Sequence, residues 1–234
     1  MLLVSVRSEE EARAAVAGGA SIVDVKEPRR GSLGMAPSVL WGRVRAAIPQ
    51  SIRLSVALGE LAEWTEDAVG SIPAEHWRGV AFRKVGLAGA GSSWRRNWRR
   101  LRAQIDAACP AGDAAASGWV AVAYFDWKLA WAPDPESVIA EAASTDRCTW
   151  VLFDTWDKTR RVAVDASALG WIARAKTAGR SVALAGSLDE SAIRRLRSSG
   201  ADLFAVRGAA CRGGDRNGTI DVERVARLVA AADS

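Results

Sequence analysis

Eight short runs of β-forming residues recur along the chain, each followed by a segment able to form a helix, and this alternation governs what the chain can fold into. The runs are LLVSV (2–6), SIVDVK (21–26), IRLSVAL (52–58), VAFRKVG (80–86), WVAVAYF (119–125), TWVLFD (149–154), SVALAG (181–186) and LFAVRG (203–208). Helical segments such as SEEEARAAVAGG, DESAIRRLRSSG (189–200) and DVERVARLVAAA (221–232) carry Ser or Asp at their starts, and in the first two glycine marks the end,. The third unit (59–75) is blurred by Pro73 and few aliphatic residues. With 234 residues, one βα unit occupies roughly 29 residues, the density of a (β/α)8 TIM barrel. A doubly wound open sheet is the competing arrangement, but it places a glycine-rich turn after its first strand. Here VRSEEEA follows. The expected fold is a single-domain α/β barrel spanning 1–234, with no linker dividing it.

Several classes of function fall away on composition. Three cysteines (Cys109, Cys148, Cys211) are too scattered for a disulfide framework or a paired metal motif, and the single histidine, His76, leaves no multi-histidine metal site,. No metal ion is therefore expected. No apolar run reaches the length of a membrane span, and the N-terminus passes directly from a short apolar run into acidic residues. A cytoplasmic protein is the default. The net charge of +5 permits acidic or phosphorylated partners,. Much of the excess lies in WRRNWRRLR (94–102). There aromatic and basic residues interleave as in a nucleic-acid surface, but Trp94 and Trp98, at i and i+4, are expected to face the barrel or a neighbouring subunit. No nucleic acid is expected as a partner. Eleven tryptophans point to apolar surface buried between subunits of a homo-oligomer.

The division of the cations is more telling than their sum. There are five lysines (Lys26, Lys84, Lys128, Lys158, Lys176) against 27 arginines. A barrel gathers its chemistry at the C-terminal ends of its strands, and four of the five fall there. Strand alternation places Asp24 and Lys26 on one face of strand 2, while Lys84 faces away from its neighbour Arg83. Lys158 follows strand 6 four residues after Asp154, and Lys128 follows Tyr124 and Asp126 at two-residue steps. Arg cannot lose its proton and serve as an amine nucleophile. Lysine can form a Schiff base once burial or neighbouring cations lower its pKa. Asp24 and Asp154 are placed to relay protons or orient an ammonium. Lys176 falls in a helix and reads as a surface cation.

Strands 7 and 8 end in sequences suited to a phosphate. Gly186 and Ser187 precede a helix start, and Arg207, Gly208 and Ala209 open a glycine-rich loop, with Arg207 expected to add a charged contact. Tyr124 is expected to line the pocket, Ser55 with less support. Cys211 reads as packing, and His76 as a structural residue at the far end of the barrel.

The segments VAGGASIVDVKEPRRGSLG (16–34), RKVGL (83–87), LFDT with Lys158 behind it, VALAGSL (182–188) and VRGAACRGGDRNGTID (206–221) resemble the (5-formylfuran-3-yl)methyl phosphate synthase family. That family is also called 4-(hydroxymethyl)-2-furancarboxaldehyde-phosphate synthase, of methanofuran biosynthesis, and the similarity runs through the whole chain in order. The resemblance implies a TIM barrel that condenses two molecules of glyceraldehyde 3-phosphate into a phosphorylated furan aldehyde without metal or cofactor. It implies Lys26 as the Schiff-base lysine, Lys84 as proton acceptor, Asp24 as its support, and Asp154 and Lys158 as further site residues. The chain departs from the family in the Trp- and Arg-rich helix, in FDWKLAWAPDP and in Trp156. Another Schiff-base barrel enzyme, of the deoxyribose-phosphate-aldolase kind, is the alternative reading.

Overall fold

The computed structural model describes residues 1–65, 67–110, 112–113, 117–159 and 164–233. Eight parallel strands close into a barrel in sequence order: β1 Leu2–Val6, β2 Ile22–Val25, β3 Arg53–Glu60, β4 Val80–Gly86, β5 Gly118–Tyr124, β6 Cys148–Asp154, β7 Ser181–Leu184 and β8 Leu203–Val206. β1 pairs with both β2 and β8, which completes the closure. Among the described residues seven α-helices pack outside: α1 Glu9–Ala17, α2 Val39–Ala47, α3 Trp94–Ala108, α4 Pro135–Ala143, α5 Ala166–Thr177, α6 Glu190–Leu196 and α7 Val222–Asp233. After β3 the described residues form only 3-10 turns, at Leu61–Glu63, Val69–Ser71 and Ala74–Trp77. This accounts for the poor helical pattern of 59–75. Trp77 of the last turn packs on Trp41 of α2, ring centroids 4.8 Å apart, and so covers the sheet where a helix would otherwise lie.

Local chemistry sets the helix ends. Ser8 caps α1 by accepting from the Glu11 N–H, and Asp134, Asp165 and Asp189 cap α4, α5 and α6 in the same way,. α1 ends at Gly18, where an added Cβ would lie 2.5 Å from Cβ of Val225 on α7. Only glycine allows the first and last helices to meet there.

Strand alternation separates two cores. One set of faces, with Val4, Val23, Val25, Val56, Val85, Trp119, Val151 and Phe153, packs against the helices. The other set, Leu3, Ile22, Ala57, Val120, Val122, Tyr124, Leu152, Ala183 and Leu203, fills the barrel interior. The tryptophans belong mostly to the first: Trp41, Trp77, Trp94, Trp98 and Trp119 are buried under the helices. Their number reflects packing within the chain, with Trp131 and Trp156 as the exposed exceptions. Trp94 and Trp98 face inward as expected, while Arg99 of the same helix pairs with Glu141 at 2.6 Å. Arg83, outward on β4, stacks on Trp119 with its guanidinium carbon 5.2 Å from the ring centre, and bonds to Asp106 at 2.7 Å. Its neighbour Lys84 points into the barrel.

Candidate active site

The interior is unevenly filled. Phe82, Tyr124 and Trp150 occupy the side of β4 to β6, whereas β7 and β8 offer Ala183, Ala185 and Ala205. The space left opens at the C-terminal ends of the strands as a cavity of about 560 Å³, within the range of small-molecule sites. Its lining includes Asp24, Lys26, Lys84, Asp154 and Lys158. Below Lys84 lies a smaller, mostly apolar pocket lined by Leu3, Ile22, Phe82 and Val120 among others.

Register explains the convergence. Ser5, Asp24 and Ser55 are level partners on β1, β2 and β3, and Lys84 stands one step higher on β4 beside Ala57. Lys84 Nζ therefore lies 2.7 Å from Asp24 Oδ1, and Ser5 Oγ donates to Asp24 Oδ2 at 3.0 Å. At the end of β6, Lys158 Nζ lies 2.5 Å from Asp154 Oδ1. The loop after β2 bends over the mouth so that Ser32 Oγ donates to Asp154 Oδ2 at 2.9 Å. Its carbonyl accepts from Lys26 Nζ at 3.3 Å. Among the described residues Lys26 has no carboxylate within ion-pair range, unlike Lys84 and Lys158.

The electrostatics follow from these pairings. Burial lowers the pKa of Lys26 to about 7, and Lys158 and Lys84 push the same way against the pull of Asp154 and Asp24,. Asp24 and Asp154 are each 1% exposed. Burial alone would raise their pKa values, but the neighbouring lysines outweigh it and hold both below the usual carboxylate range. Burial also lowers the ammonium of Lys158, against its pairing with Asp154. The mouth thus presents one amine that loses its proton near neutrality and two lysine–carboxylate pairs beside it.

The glycine-rich loops also reach the cavity. Gly186, Ser187, Gly208 and Ala209 all line it. Gly186 and Ser187 both have positive φ, 105° and 52°, which turns the chain sharply after β7. Asp189 already accepts from the Ala192 N–H at 2.8 Å, so the start of α6 is capped from within and the anion-favouring surface is the turn before it. Gly208 and Ala209 open a 3-10 turn, whose first N–H groups have no partner inside the turn.

Three expectations need correction. Arg207 lines the cavity as expected, but it is not a free cation for phosphate. Its guanidinium is spent on Glu11 at 2.5 and 3.0 Å, on the Ser5 carbonyl at 2.9 Å and on the Gly218 carbonyl at 2.7 Å, tying α1 to the loop after β8. Tyr124 points inward but does not line the cavity. It donates to Glu60 Oε1 at 2.6 Å, and burial raises both pKa values. Lys128 is exposed, with its ammonium 5.4 Å from the ring centre of Trp127, away from the site. Three lysines, not four, share the cavity.

Other residues of the site went unread in the sequence. Ser5 and Ser32 hold the two carboxylates, and Arg216, Arg224 and Arg227 line the side of the cavity near β8. Ser5 was recoverable from parity, since it shares the inward face of β1 with Leu3, level with Asp24. Ser32 lies within the RRGSLG stretch, but nothing local announces its partner 122 residues away. His76 bonds to Ser38 Oγ at 2.9 Å and Cys211 is buried, both outside the site as expected.

A closed (β/α)8 barrel with lysines and carboxylates gathered at its strand ends has the architecture of a TIM-barrel enzyme. The family model described as 4-HFC-P synthase matches residues 2–229, and the chain belongs to that family, as the sequence resemblance implied. It is 33% identical to the (5-formylfuran-3-yl)methyl phosphate synthase of Methanocaldococcus jannaschii over 242 residues, 97% of each chain. It is 32% identical to that of Methanothermobacter thermautotrophicus over 247 residues, covering 100% of this chain and 99% of the relative. Among solved structures, phosphoribosyl anthranilate isomerase from Thermus thermophilus superposes with a TM-score of 0.64 at 13% identity, covering 98% and 96% of the two chains. 3-Hexulose-6-phosphate synthase superposes with 0.58 at 17% identity, covering 98% of each. These two share the fold alone. Among the described residues no helix is long and apolar enough to cross a membrane.

Proposed function

We propose that this chain acts as a (5-formylfuran-3-yl)methyl phosphate synthase, condensing two molecules of glyceraldehyde 3-phosphate through a Schiff base on Lys26. The observation that carries the mechanism is the contrast among the three lysines. Lys84 and Lys158 each sit on a carboxylate, while Lys26 has only a carbonyl partner and a pKa near 7. An amine attacks an aldehyde only when unprotonated, so Lys26 is the nucleophile the site prepares.

The steps follow from position. Lys26 Nζ adds to the aldehyde carbon of one triose phosphate, and loss of water gives an imine that acidifies the adjacent C–H. The Lys84–Asp24 pair is the acid–base unit beside it: the Lys84 amine takes the proton from the substrate carbon, and Asp24, 2.7 Å away, holds the ammonium that results,. The resulting enamine attacks the aldehyde of the second triose. Asp154 and Lys158 face the same space and serve the proton transfers that release phosphate and water as the furan ring closes. One phosphate stays on the product, a precursor of a methanofuran-type one-carbon carrier.

Purified protein incubated with glyceraldehyde 3-phosphate alone tests this. Stoichiometric phosphate release with a furan-aldehyde absorbance and the matching product mass is the expected result. Reversible aldol chemistry without phosphate release supports the aldolase alternative instead.

A further inference from the structure

The substrate reading places two phosphates in one cavity, and the sequence assigned their charged contact to Arg207. The structure moves that role along the chain. Every guanidinium nitrogen of Arg207 is engaged, its Nε by the carbonyl of Arg216 at 2.9 Å. Together with its bond to the Gly218 carbonyl, this pins both ends of the 216–218 segment. Gly208 finishes the placement. A Cβ there would lie 3.1 Å from the Gly214 carbonyl and 3.6 Å from the backbone N of Arg216, so a glycine lets the loop lie down on the end of β8. Arg207 thus builds the loop that presents Arg216.

Arg216 is differently placed. It lines the cavity, and its Nη2 donates to the carbonyls of Pro28 and Gly31 at 2.9 and 3.2 Å. The side chain therefore runs from the β8 loop to the loop that follows Lys26. Among the described residues its Nε and Nη1 have no hydrogen-bond partner. It is the arginine whose charge is felt at the centre: it acts on Lys158 and is itself acted on by Asp154. Of the other lining arginines, Arg207 is fully engaged as above, Arg224 is tied to the Ala209 carbonyl at 3.2 Å and Arg227 is exposed at the outer edge.

We propose that Arg216 is the guanidinium that binds a substrate phosphate, acting with Lys158 and with the backbone N–H groups of the β7 and β8 turns, and that Arg207 is its positioning residue. A partly buried guanidinium with donors left on Nε and Nη1 suits single contacts to phosphate oxygens. The bond to the Pro28 and Gly31 carbonyls fixes its plane before the ligand arrives. The proposal rests on the reading of a phosphorylated aldehyde substrate.

The test compares borohydride trapping with glyceraldehyde 3-phosphate and with unphosphorylated glyceraldehyde, in the unaltered protein and in Arg216→Gln. The variant is expected to raise the half-saturating concentration of the phosphorylated aldehyde by about ten- to a hundredfold, leave that of glyceraldehyde unchanged, and recover partly as Arg216→Lys. An unchanged preference for the phosphorylated aldehyde in Arg216→Gln overturns the proposal. Because a variant can fail to fold, phenylglyoxal modification of the unaltered protein supplies a second arm. Inorganic phosphate should protect the peptide containing Arg216, and equal labelling with and without phosphate counts against it. Absence of any trapped adduct in the unaltered protein refutes the Schiff-base reading instead, and the protection arm still judges Arg216.

Discussion

Replacing Lys26 with methionine should make the protein more stable, and by an amount that depends on pH. In the unfolded chain this lysine titrates near its ordinary 10.5, in the folded protein near 7. Between those values the unfolded chain holds the proton and the folded protein does not, so Lys26 makes stability rise with pH across that window. Below about 7 its full cost is present. At about 1.4 kcal/mol for each tenfold change in proton affinity, the cost is of order 5 kcal/mol. Screening at the partly open mouth reduces this to roughly 2–4 kcal/mol. Methionine keeps the apolar stem and strands no carboxylate, because Asp24 retains Lys84 and Asp154 retains Lys158. For a chain of this size the gain corresponds to about 5–10 °C in Tm at pH 6, and to less than half of that at pH 9. Thermal unfolding followed by circular dichroism at both pH values measures it. A variant less stable than the unaltered protein at pH 6, or an equal gain at both pH values, refutes the electrostatic reasoning.

Three further perturbations have defined outcomes. Lys84→Met leaves Asp24 buried without its ion pair and should cost about 3–5 kcal/mol in chemical denaturation, the opposite sign to Lys26→Met. Glu11→Gln removes the charge that holds Arg207 and should cost roughly 2–4 kcal/mol while loosening the 208–218 loop, seen as faster amide exchange there; unchanged exchange contradicts the anchoring role. Gly86→Ala places a Cβ 2.1 Å from Glu60 Oε2 and 2.5 Å from Tyr124 Oη, so the buried pair must shift. A loss of a few kcal/mol is expected, and a fully stable variant contradicts the packing.

The strands were legible because each carries its own β-forming run, and the candidate site groups because they lie on strands or just beyond their ends. Parity alone put Asp24 and Lys26 on one face and separated Lys84 from Arg83. What escaped was set by contacts between distant segments. Arg207 looked like a phosphate ligand because it ends a strand in a glycine-rich loop, yet its direction is decided by Glu11, 196 residues away. Ser32 and Arg216 lie on loops whose course over the mouth depends on bonds between the β2 and β8 ends. Lys128 follows the same two-residue step as Tyr124 and Asp126, but the strand ends at Tyr124, and beyond it parity no longer predicts direction. Tyr124 does face inward, but the pairing with Glu60 and the closeness of Gly86 hold it behind the cavity wall.

The claim at the centre is that Lys26 alone of the three cavity lysines is prepared to attack an aldehyde. Borohydride trapping with glyceraldehyde 3-phosphate across pH, followed by peptide mass analysis, tests it directly. The expected result is a reduced adduct on the peptide containing Lys26, forming faster as pH rises through about 7 and then levelling. No adduct is expected in Lys26→Arg. An adduct on Lys84 or Lys158, or a rate that keeps rising towards the ordinary lysine range, contradicts the claim.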